Sequence, residues 1–323
     1  MPALHCPNGD RLVVLKVHNN SLRAYCLFAG STPGTPQPLL IYLHDEGRSV
    51  ATIYRDTTLR SLAEAYQLAP GIKGFALAVP QGRLLRSPRT GECNADWDFF
   101  HRNFSTGRAC PSCPMGRMST NEDVALLDHI VNDAVSSGEA DPTRVYLGGW
   151  GTGGFFAQMY GTARSRDLLS AQPSGACVAA VSVVSSADPF NNITANDAPE
   201  GCMLKPYPKQ TVPTMVSSYS CDAVCCDGRQ PHCPLAGAPG FDTARWVADA
   251  KAKMAGLEIR WDVFDGNGST PATSCDHSPA CDAAVAAQNR RRFPIHREAA
   301  MLAFLGGHEA DPGCWDRRTP APL

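Results

Sequence analysis

The chain has 323 residues, 43% of them hydrophobic, which is enough material for a large buried core. A formal net charge of -2 at pH 7 gives no overall attraction to nucleic acid or to an anionic membrane. Charged residues at 19% and aromatic residues at 8% are ordinary for a globular protein and exclude a disordered or fibrous chain. No apolar segment approaches the roughly 20 residues that a membrane-spanning helix needs. We therefore expect one folded domain over residues 1–323, with neither nucleic acid nor membrane as a partner.

Segments with strand and helix character alternate along the chain. This alternation predicts an α/β fold with a mainly parallel central sheet flanked by helices. Predicted strands begin with an antiparallel pair and continue with buried segments: 12–17, 22–28, 39–43, 75–79, 144–148, 178–184, 214–218 and 259–264. Predicted helices cover 58–66, 121–135, 153–161, 242–254 and 297–305, and Asn121 or Thr120 can cap the second of them.

Cysteine usage indicates an oxidising compartment. The chain contains 14 cysteines, an even number spread along its length, and disulfide-rich loops are expected from them. Two segments stand out: a long surface loop over about 80–117 and a Cys-rich loop over about 221–235. Four Asn-x-Ser/Thr sequons, at Asn19, Asn103, Asn192 and Asn267, favour the same secretory route.

We therefore expect a secreted glycoprotein. The first ten residues lack the basic start and apolar stretch of a signal peptide, so the signal has been removed or export uses another route. Zinc binding by Cys110 and Cys113, or by the cysteines around His232, is an alternative use of these residue types. Disulfides are favoured over zinc in an exported chain, so neither a metal nor another cofactor is expected.

The segment 145–154 predicts a strand, a glycine-rich turn and the start of a helix. That arrangement is typical of the nucleophile elbow, G-x-S-x-G, in which a tight turn leaves no room for a Cβ at the flanking glycines. Gly149 and Gly153 occupy the flanks, and Gly151 stands at the centre. An ordinary glycine-rich turn, such as a phosphate-binding loop, is the alternative.

A family resemblance adds to this interpretation. The order of Asn-Glu-Asp-Val at 121–124, Asp-Pro-Thr-Arg-Val-Tyr at 141–146 and Gly-Gly at 153–154 resembles the secreted polyhydroxybutyrate depolymerase and feruloyl esterase group of the α/β-hydrolase superfamily. The resemblance runs from about residue 39 to the closing helix. It implies an α/β-hydrolase fold, and it places Gly151 where an active member carries its nucleophilic serine.

The resemblance also implies an oxyanion site. Leu-His-Asp-Glu-Gly at 43–47 resembles the family's His-Gly segment, whose backbone amide acts together with the amide of the residue after the nucleophile. Asp45 replaces the usual glycine, and its negative charge would oppose an oxyanion. The residues that the resemblance places at this oxyanion or binding site are His44, Asp45, Glu46, Trp150 and Thr152.

Two further members of a catalytic triad are assigned by resemblance. Asp222 falls at the position of the catalytic acid, although a turn-capping aspartate would look the same. The histidine is expected after the last strand, where the chain carries Ser269 instead. His296, directly before the closing helix, is the preferred substitute, and His277 is the alternative. A surface role for His296 also remains open.

Two functions follow from these residues. Gly151 has no hydroxyl, so the first is an esterase-like protein without ordinary serine catalysis that keeps a cleft for a small-molecule or polymeric ester or carbohydrate ligand. The second is an active carboxylic-ester hydrolase whose serine was removed by engineering or is replaced by another group. The sequence does not identify the ligand.

Overall fold

The computed structural model describes residues 4–17, 21–32, 34–86, 93–98, 102–103, 108–109, 121–164, 178–186, 212–222, 247–248, 250–252, 258–264, 271–272 and 293–310. Its strands in chain order are β1 Arg11–Lys16, β2 Leu22–Phe28, β3 Gln37–Leu43, β4 Ala76–Pro80, β5 Arg83–Arg86, β6 Cys93–Asp96, β7 Arg102–Asn103, β8 Arg108–Ala109, β9 Ala140–Trp150, β10 Ala180–Val184, β11 Thr214–Tyr219, β12 Ile259–Phe264 and β13 Pro271–Ala272. The helices are α1 Val50–Asp56, α2 Leu59–Ala65, α3 Glu122–Ser136, α4 Thr152–Ala163 and α5 Glu298–Gly306.

One large sheet organises the described residues. Its strand order is β1-β2-β4-β3-β9-β10-β11-β12-β13. The strands from β4 through β3, β9, β10 and β11 to β12 are all paired in parallel, whereas β2 is antiparallel to both β1 and β4. The predicted mainly parallel sheet and its antiparallel opening pair are confirmed.

Helices cover both faces of this sheet, as the sequence predicts. Strand β3 is buried along its whole length, which explains its continuous apolar run. Leu39, Ile41 and Leu43 belong to a core that includes the apolar sides of α3 and α4. Leu40 and Tyr42 belong to a second core, with residues of α1, α2 and α5. The sheet therefore separates two apolar layers. The carboxyl ends of its parallel strands lie together at one edge of the sheet.

Helix α3 begins at the predicted cap. The Asn121 side chain accepts hydrogen bonds from the backbone amides of Asp123 and Val124, at 2.8 and 3.2 Å. These bonds satisfy two of the amides that a helix start leaves without an internal partner. The apolar residues of α3 that recur at helical spacing are buried. The helical spacing and the cap residue therefore predicted this helix correctly.

The structure differs from the expected surface loop over residues 83–98. Strands β5 and β6 pair as an antiparallel hairpin. The residues that follow β6 are buried: Trp97 is fully covered, and the Asp98 amide donates to the Asp123 carboxylate at 2.7 Å. Local polarity predicted a loop, but contacts with a distant helix draw this segment inward. Most of residues 99–120 lie outside the described ranges.

The described cysteines agree in part with an oxidised chain. Cys6 and Cys26 form a disulfide that joins the N-terminal segment to β2, and Cys221 is also disulfide-bonded. Cys93 is exposed and is a free thiol within the described residues. The other cysteines, and the sequons at Asn19, Asn192 and Asn267, lie outside the described ranges, while Asn103 lies in β7. No described helix has the length and hydropathy to cross a membrane.

Candidate functional site

Gly151 forms the tip of the turn between β9 and α4. Its backbone has φ 53° and ψ -119°, a combination that side-chain-bearing residues rarely adopt. The Gly151 amide donates to the Val184 carbonyl at 2.9 Å, and its carbonyl accepts from the Phe155 amide at 3.1 Å. These bonds join the turn to the end of β10 and to the first turn of α4. A residue with positive φ between a strand and a helix is the geometry of a nucleophile elbow, and glycine adopts it without strain.

Close packing explains the glycines on both sides of this tip. A Cβ added at Gly149 would lie 2.6 Å from the backbone of Gly153, and one added at Gly153 would lie 2.4 Å from the His44 carbonyl oxygen. Real Cβ atoms do not make backbone contacts this short. The predicted need for glycine at both flanks is confirmed.

The Asp45 carboxylate lies directly against the turn. Its Oδ1 accepts a hydrogen bond from the Thr152 amide at 3.0 Å, and the side chain is buried. A Cβ added at Gly151 would lie 1.9 Å from Asp45 Oδ1 and 2.3 Å from Asp45 Cγ. In this arrangement the carboxylate occupies the position of a Cβ at residue 151, so it would have to move to admit a side chain there. It also occupies the amide that the family resemblance assigns to oxyanion binding.

His44 is fully buried beneath this carboxylate. Its Nε2 accepts from the Gly82 amide at 2.9 Å, so the proton is on Nδ1, which donates to the Asp45 carbonyl at 2.8 Å. Burial lowers the pKa of His44 from its ordinary value of 6.5 to about 4, so the ring is neutral near pH 7. With both ring nitrogens engaged, His44 holds the backbone of the Asp45 turn and is closed to an outside ligand.

Trp97 also holds the backbone around Asp45, and the sequence analysis did not identify this residue. Its indole Nε1 donates to the His44 carbonyl at 2.8 Å, and its ring stacks on Phe156 of α4 with centroids 5.9 Å apart. A second connection comes from Gly47, whose amide donates to the Ala95 carbonyl at 2.8 Å. The β5–β6 hairpin therefore holds the Asp45 turn in place. In the sequence, the only local indication of this role was a tryptophan within an otherwise polar segment.

A buried ionic network fixes the other side of this support. Arg23 on β2 pairs with Asp123 at 2.5 Å, and both side chains are completely inaccessible. Arg83 on β5 pairs with Glu122 at the start of α3. Asn121 donates to the Asp98 carbonyl at 2.6 Å. The start of α3 is thereby joined to β2 by a fully buried ion pair and to the hairpin by a mostly buried one.

Two other residues that the resemblance places near the site make contacts with other parts of the structure. Trp150 is fully buried on the opposite face of the sheet, where its ring packs edge-on against Phe293 with centroids 5.6 Å apart. Glu46 is half-buried, and its carboxylate accepts from the Asn94 side chain at 3.5 Å.

The two remaining triad candidates lie beyond the ends of adjacent strands. Asp222 is buried, just after β11. His296 is exposed on the turn before α5, and its ring meets Phe264 edge-on with centroids 6.0 Å apart. Phe264 ends β12 and also contacts Tyr219, the last residue of β11. The structure thus puts both candidates at the edge that carries Gly151. Ser269 and His277 lie outside the described residues.

Ser185, which sequence reasoning also missed, lies at this edge beside Gly151. It follows β10 with a positive φ of 50°, and its amide donates to the Ser217 carbonyl at 2.9 Å. Its side chain is fully buried, and its Oγ has no hydrogen-bond partner among the described residues. A backbone strain of this kind is common at functional sites, but no local sequence pattern indicated it.

The described residues contain no group of three or more His, Cys, Asp or Glu side chains that could hold a metal ion. The zinc alternative at Cys110, Cys113 and the cysteines around His232 falls outside the described ranges.

Comparisons with known proteins identify the fold. The sequence matches no protein-family model and no curated protein. A solved structure of a thermostable esterase is similar, with a TM-score of 0.50 and 13% identity over 93% of this chain and 63% of that chain. An esterase, LipW, from Mycobacterium marinum has a TM-score of 0.48 and 14% identity over 91% and 81%. A bacterial heroin esterase has a TM-score of 0.47 and 15% identity over 92% and 82%.

The protein has the α/β-hydrolase fold. The strand order, the helices on both faces and the similarity to the thermostable esterase agree on this. The present chain spans 63% of the length of that esterase.

Proposed function

We propose that this protein is an esterase-like α/β-hydrolase that has lost ordinary serine catalysis and keeps its site for binding. One observation carries the proposal: the Asp45 carboxylate fills the space beside Gly151 and accepts from the Thr152 amide. Serine catalysis needs a hydroxyl at the elbow and free amides for the oxyanion. Gly151 has no hydroxyl, and a carboxylate holds one of the amides.

The loss therefore involves two positions that depend on each other. A serine side chain at residue 151 would meet Asp45 Oδ1 within 1.9 Å of its Cβ. A carboxylate at the helix start is itself favourable, because the N-terminal amides of α4 attract negative charge. A serine at residue 151 alone would require the Asp45 carboxylate to move away from the Thr152 amide, so we propose that the two positions change together.

The ligand that we propose is an ester or carbohydrate, either a small molecule or part of a polymer. The family resemblance around residues 121–154 and the fold shared with an esterase support this class. We also propose that the protein is secreted and glycosylated. The Cys6–Cys26 disulfide, the disulfide-bonded Cys221 and the four sequons support that location.

Hydrolysis of p-nitrophenyl acetate and labelling by a serine-directed phosphonate test the proposal. We expect no reaction from the wild type or from Gly151→Ser, because Asp45 blocks the new side chain. The double variant Asp45→Gly/Gly151→Ser removes the obstruction, and we expect phosphonate labelling at residue 151. The matched control is Glu46→Gly/Gly151→Ser, which removes a neighbouring carboxylate that does not touch Thr152. Labelling of a serine in the wild type, with ester turnover, would contradict the proposal.

A further inference from the structure

Strand β1 is the outermost strand of the large sheet among the residues that the structure describes. It pairs with β2 along one side, and no described strand pairs with its other side. The free side of an edge strand presents backbone N–H and C=O groups that can pair with another strand. Monomeric proteins usually protect such an edge with charged residues, proline or a bulge. The centre of β1 is instead apolar, with Leu-Val-Val-Leu at 12–15.

One face of β1 carries exposed apolar side chains. Leu12 and Val14 are 44% and 57% exposed, and they lie on the same face because side chains alternate along a strand. Leu22 of β2 lies on this face opposite Lys16 and is 52% exposed. Val13 lies on the other face and packs against the core that includes α3 and α4. The exposed apolar residues therefore line the free edge of the sheet.

We propose that this edge binds a second copy of the chain, with the two β1 strands paired antiparallel about a two-fold axis. A partner for this edge must offer a free strand edge and apolar side chains at alternate positions. Strand β1 of a second copy has both. The pairing would extend the sheet across the two copies in the antiparallel sense that β1 and β2 already have.

The side chains of β1 select the register of this pairing. A two-fold axis through Val13 puts Leu12 of each copy opposite Val14 of the other copy. The exposed apolar side chains then cover one another. An axis through Val14 would instead put Leu12 opposite the charged Lys16. An axis between these residues would place side chains of opposite faces side by side, which the pleat of a sheet does not allow.

The charges near the strand ends are compatible with the Val13 axis. Arg11 lies opposite Leu15 of the other copy, and its guanidinium is already paired with Glu139 at 2.8 Å. Lys16 lies opposite Asp10, the residue before β1, so neither cation faces a like charge. One strand edge and three partly exposed apolar side chains per copy are less than the roughly 1,200–2,000 Å² that stable complexes bury. We therefore expect a weak dimer that forms at high protein concentration.

Sedimentation velocity of the full-length protein from micromolar to millimolar concentration tests the inference. We expect a concentration-dependent dimer in the wild type. Val14→Lys should weaken dimerisation roughly tenfold or more, because it puts a charge opposite Leu12 and brings two like charges together near the axis. The matched control is Leu84→Lys on β5, which changes an apolar residue that is 66% exposed on a different sheet. A monomer at every concentration, or an equal effect of the two variants, would overturn the inference.

Disulfide formation between introduced cysteines tests the register. Leu12→Cys and Val14→Cys are made as separate proteins in a Cys93→Ser background, which removes the free thiol of the described residues. We expect little covalent dimer from either protein alone, because identical residues lie diagonally at about 7–8 Å. Mixing the two under oxidising conditions should give a covalent dimer, because residues 12 and 14 lie directly opposite, within reach of a disulfide.

No mixed covalent dimer, or a yield no greater than that of each protein alone, would overturn the proposed pairing. None of these outcomes bears on the proposed loss of serine catalysis, because β1 and the Asp45 turn share no residue.

Discussion

The Asp45 side chain packs directly against Gly151 at the start of α4, so the residue type at each position constrains the residue type at the other. The glycine leaves the space that the carboxylate fills, and the carboxylate accepts from the Thr152 amide at 3.0 Å. Below them, His44 is held as a neutral ring by one donor and one acceptor. The neutral His44 ring thereby holds the backbone of Asp45 through the Asp45 carbonyl.

At this scale we predict a pH dependence of stability from His44. Its pKa in the folded protein, about 4, is below the ordinary value of 6.5, so the folded state binds the proton less readily than the unfolded state. The resulting stability is present above pH 6.5 and is lost as the pH falls toward 4, by an amount of about 3 kcal/mol. Denaturant unfolding from pH 7 to pH 4 measures it.

The variant His44→Gln isolates this contribution, because its free energy of unfolding should fall less over the same pH range. The exposed His5→Gln serves as control and should follow the wild type. Equal pH slopes for His44→Gln and the wild type would contradict the assignment.

At the scale of elements, the β5–β6 hairpin supports the site from the side. Its pairing, the Trp97 indole and the Gly47–Ala95 bond hold the turn after β3. The buried Asp123 carboxylate of α3, which pairs with Arg23 on β2, accepts from the Asp98 amide and so holds the residues that follow the hairpin. Strand ends alone place the site residues on one edge, but the hairpin determines where the Asp45 turn lies.

Replacement of Trp97 by Phe should weaken this support. The change removes the donor to the His44 carbonyl and leaves a small void in the core, at a combined cost of roughly 2–4 kcal/mol. Thermal unfolding should show a lower midpoint. Trp261→Phe is the matched control, because that indole is only half-buried and donates to the Ser218 hydroxyl. A Trp97→Phe protein as stable as its control would show that the indole bond is unimportant.

At the scale of the whole molecule, covalent and polar links join parts of the chain that are far apart in sequence. The Cys6–Cys26 disulfide holds the N-terminal segment on β2. Glu298, buried at the start of α5, accepts from the Thr58 backbone amide at 2.9 Å and thereby caps α2. Such links reduce the freedom of the unfolded chain or satisfy buried helix ends, so they stabilise the fold without touching the site.

We expect the double variant Cys6→Ala/Cys26→Ala to lose about 3 kcal/mol of unfolding free energy, since the disulfide closes a loop of 20 residues in sequence separation. Denaturant titration measures the loss, and chemical reduction of the wild type should cause at least as large a loss. Cys93→Ser is the control and should leave stability unchanged, because this exposed thiol is not in a disulfide. A fully stable double variant would show that the N-terminal segment is held by packing alone.

Much of the fold could be predicted from local patterns in the sequence. Strand β3, the antiparallel pair β1–β2 and the capped helix α3 lie where continuous apolar runs, turn residues and helical spacing placed them. Helix α1 was not predicted, and its length does not explain this, because α2 is equally short and lies within the predicted helix 58–66. The β5–β6 hairpin was not predicted, because its segment is mostly polar and the residues that it contacts lie far along the chain.

The sequence by itself determined the α/β architecture, the flanking glycines of the turn and the glycine at its tip. Each depends on the identity or spacing of neighbouring residues, which the chain carries locally. Only the tertiary structure decided that the Asp45 carboxylate lies in the space beside Gly151, and that His44 and Trp97 support it from below. Asp45 and Thr152 are 107 residues apart, and they meet because β3 and β9 are neighbours in the sheet. Contacts of that kind depend on strand order, which no local pattern encodes.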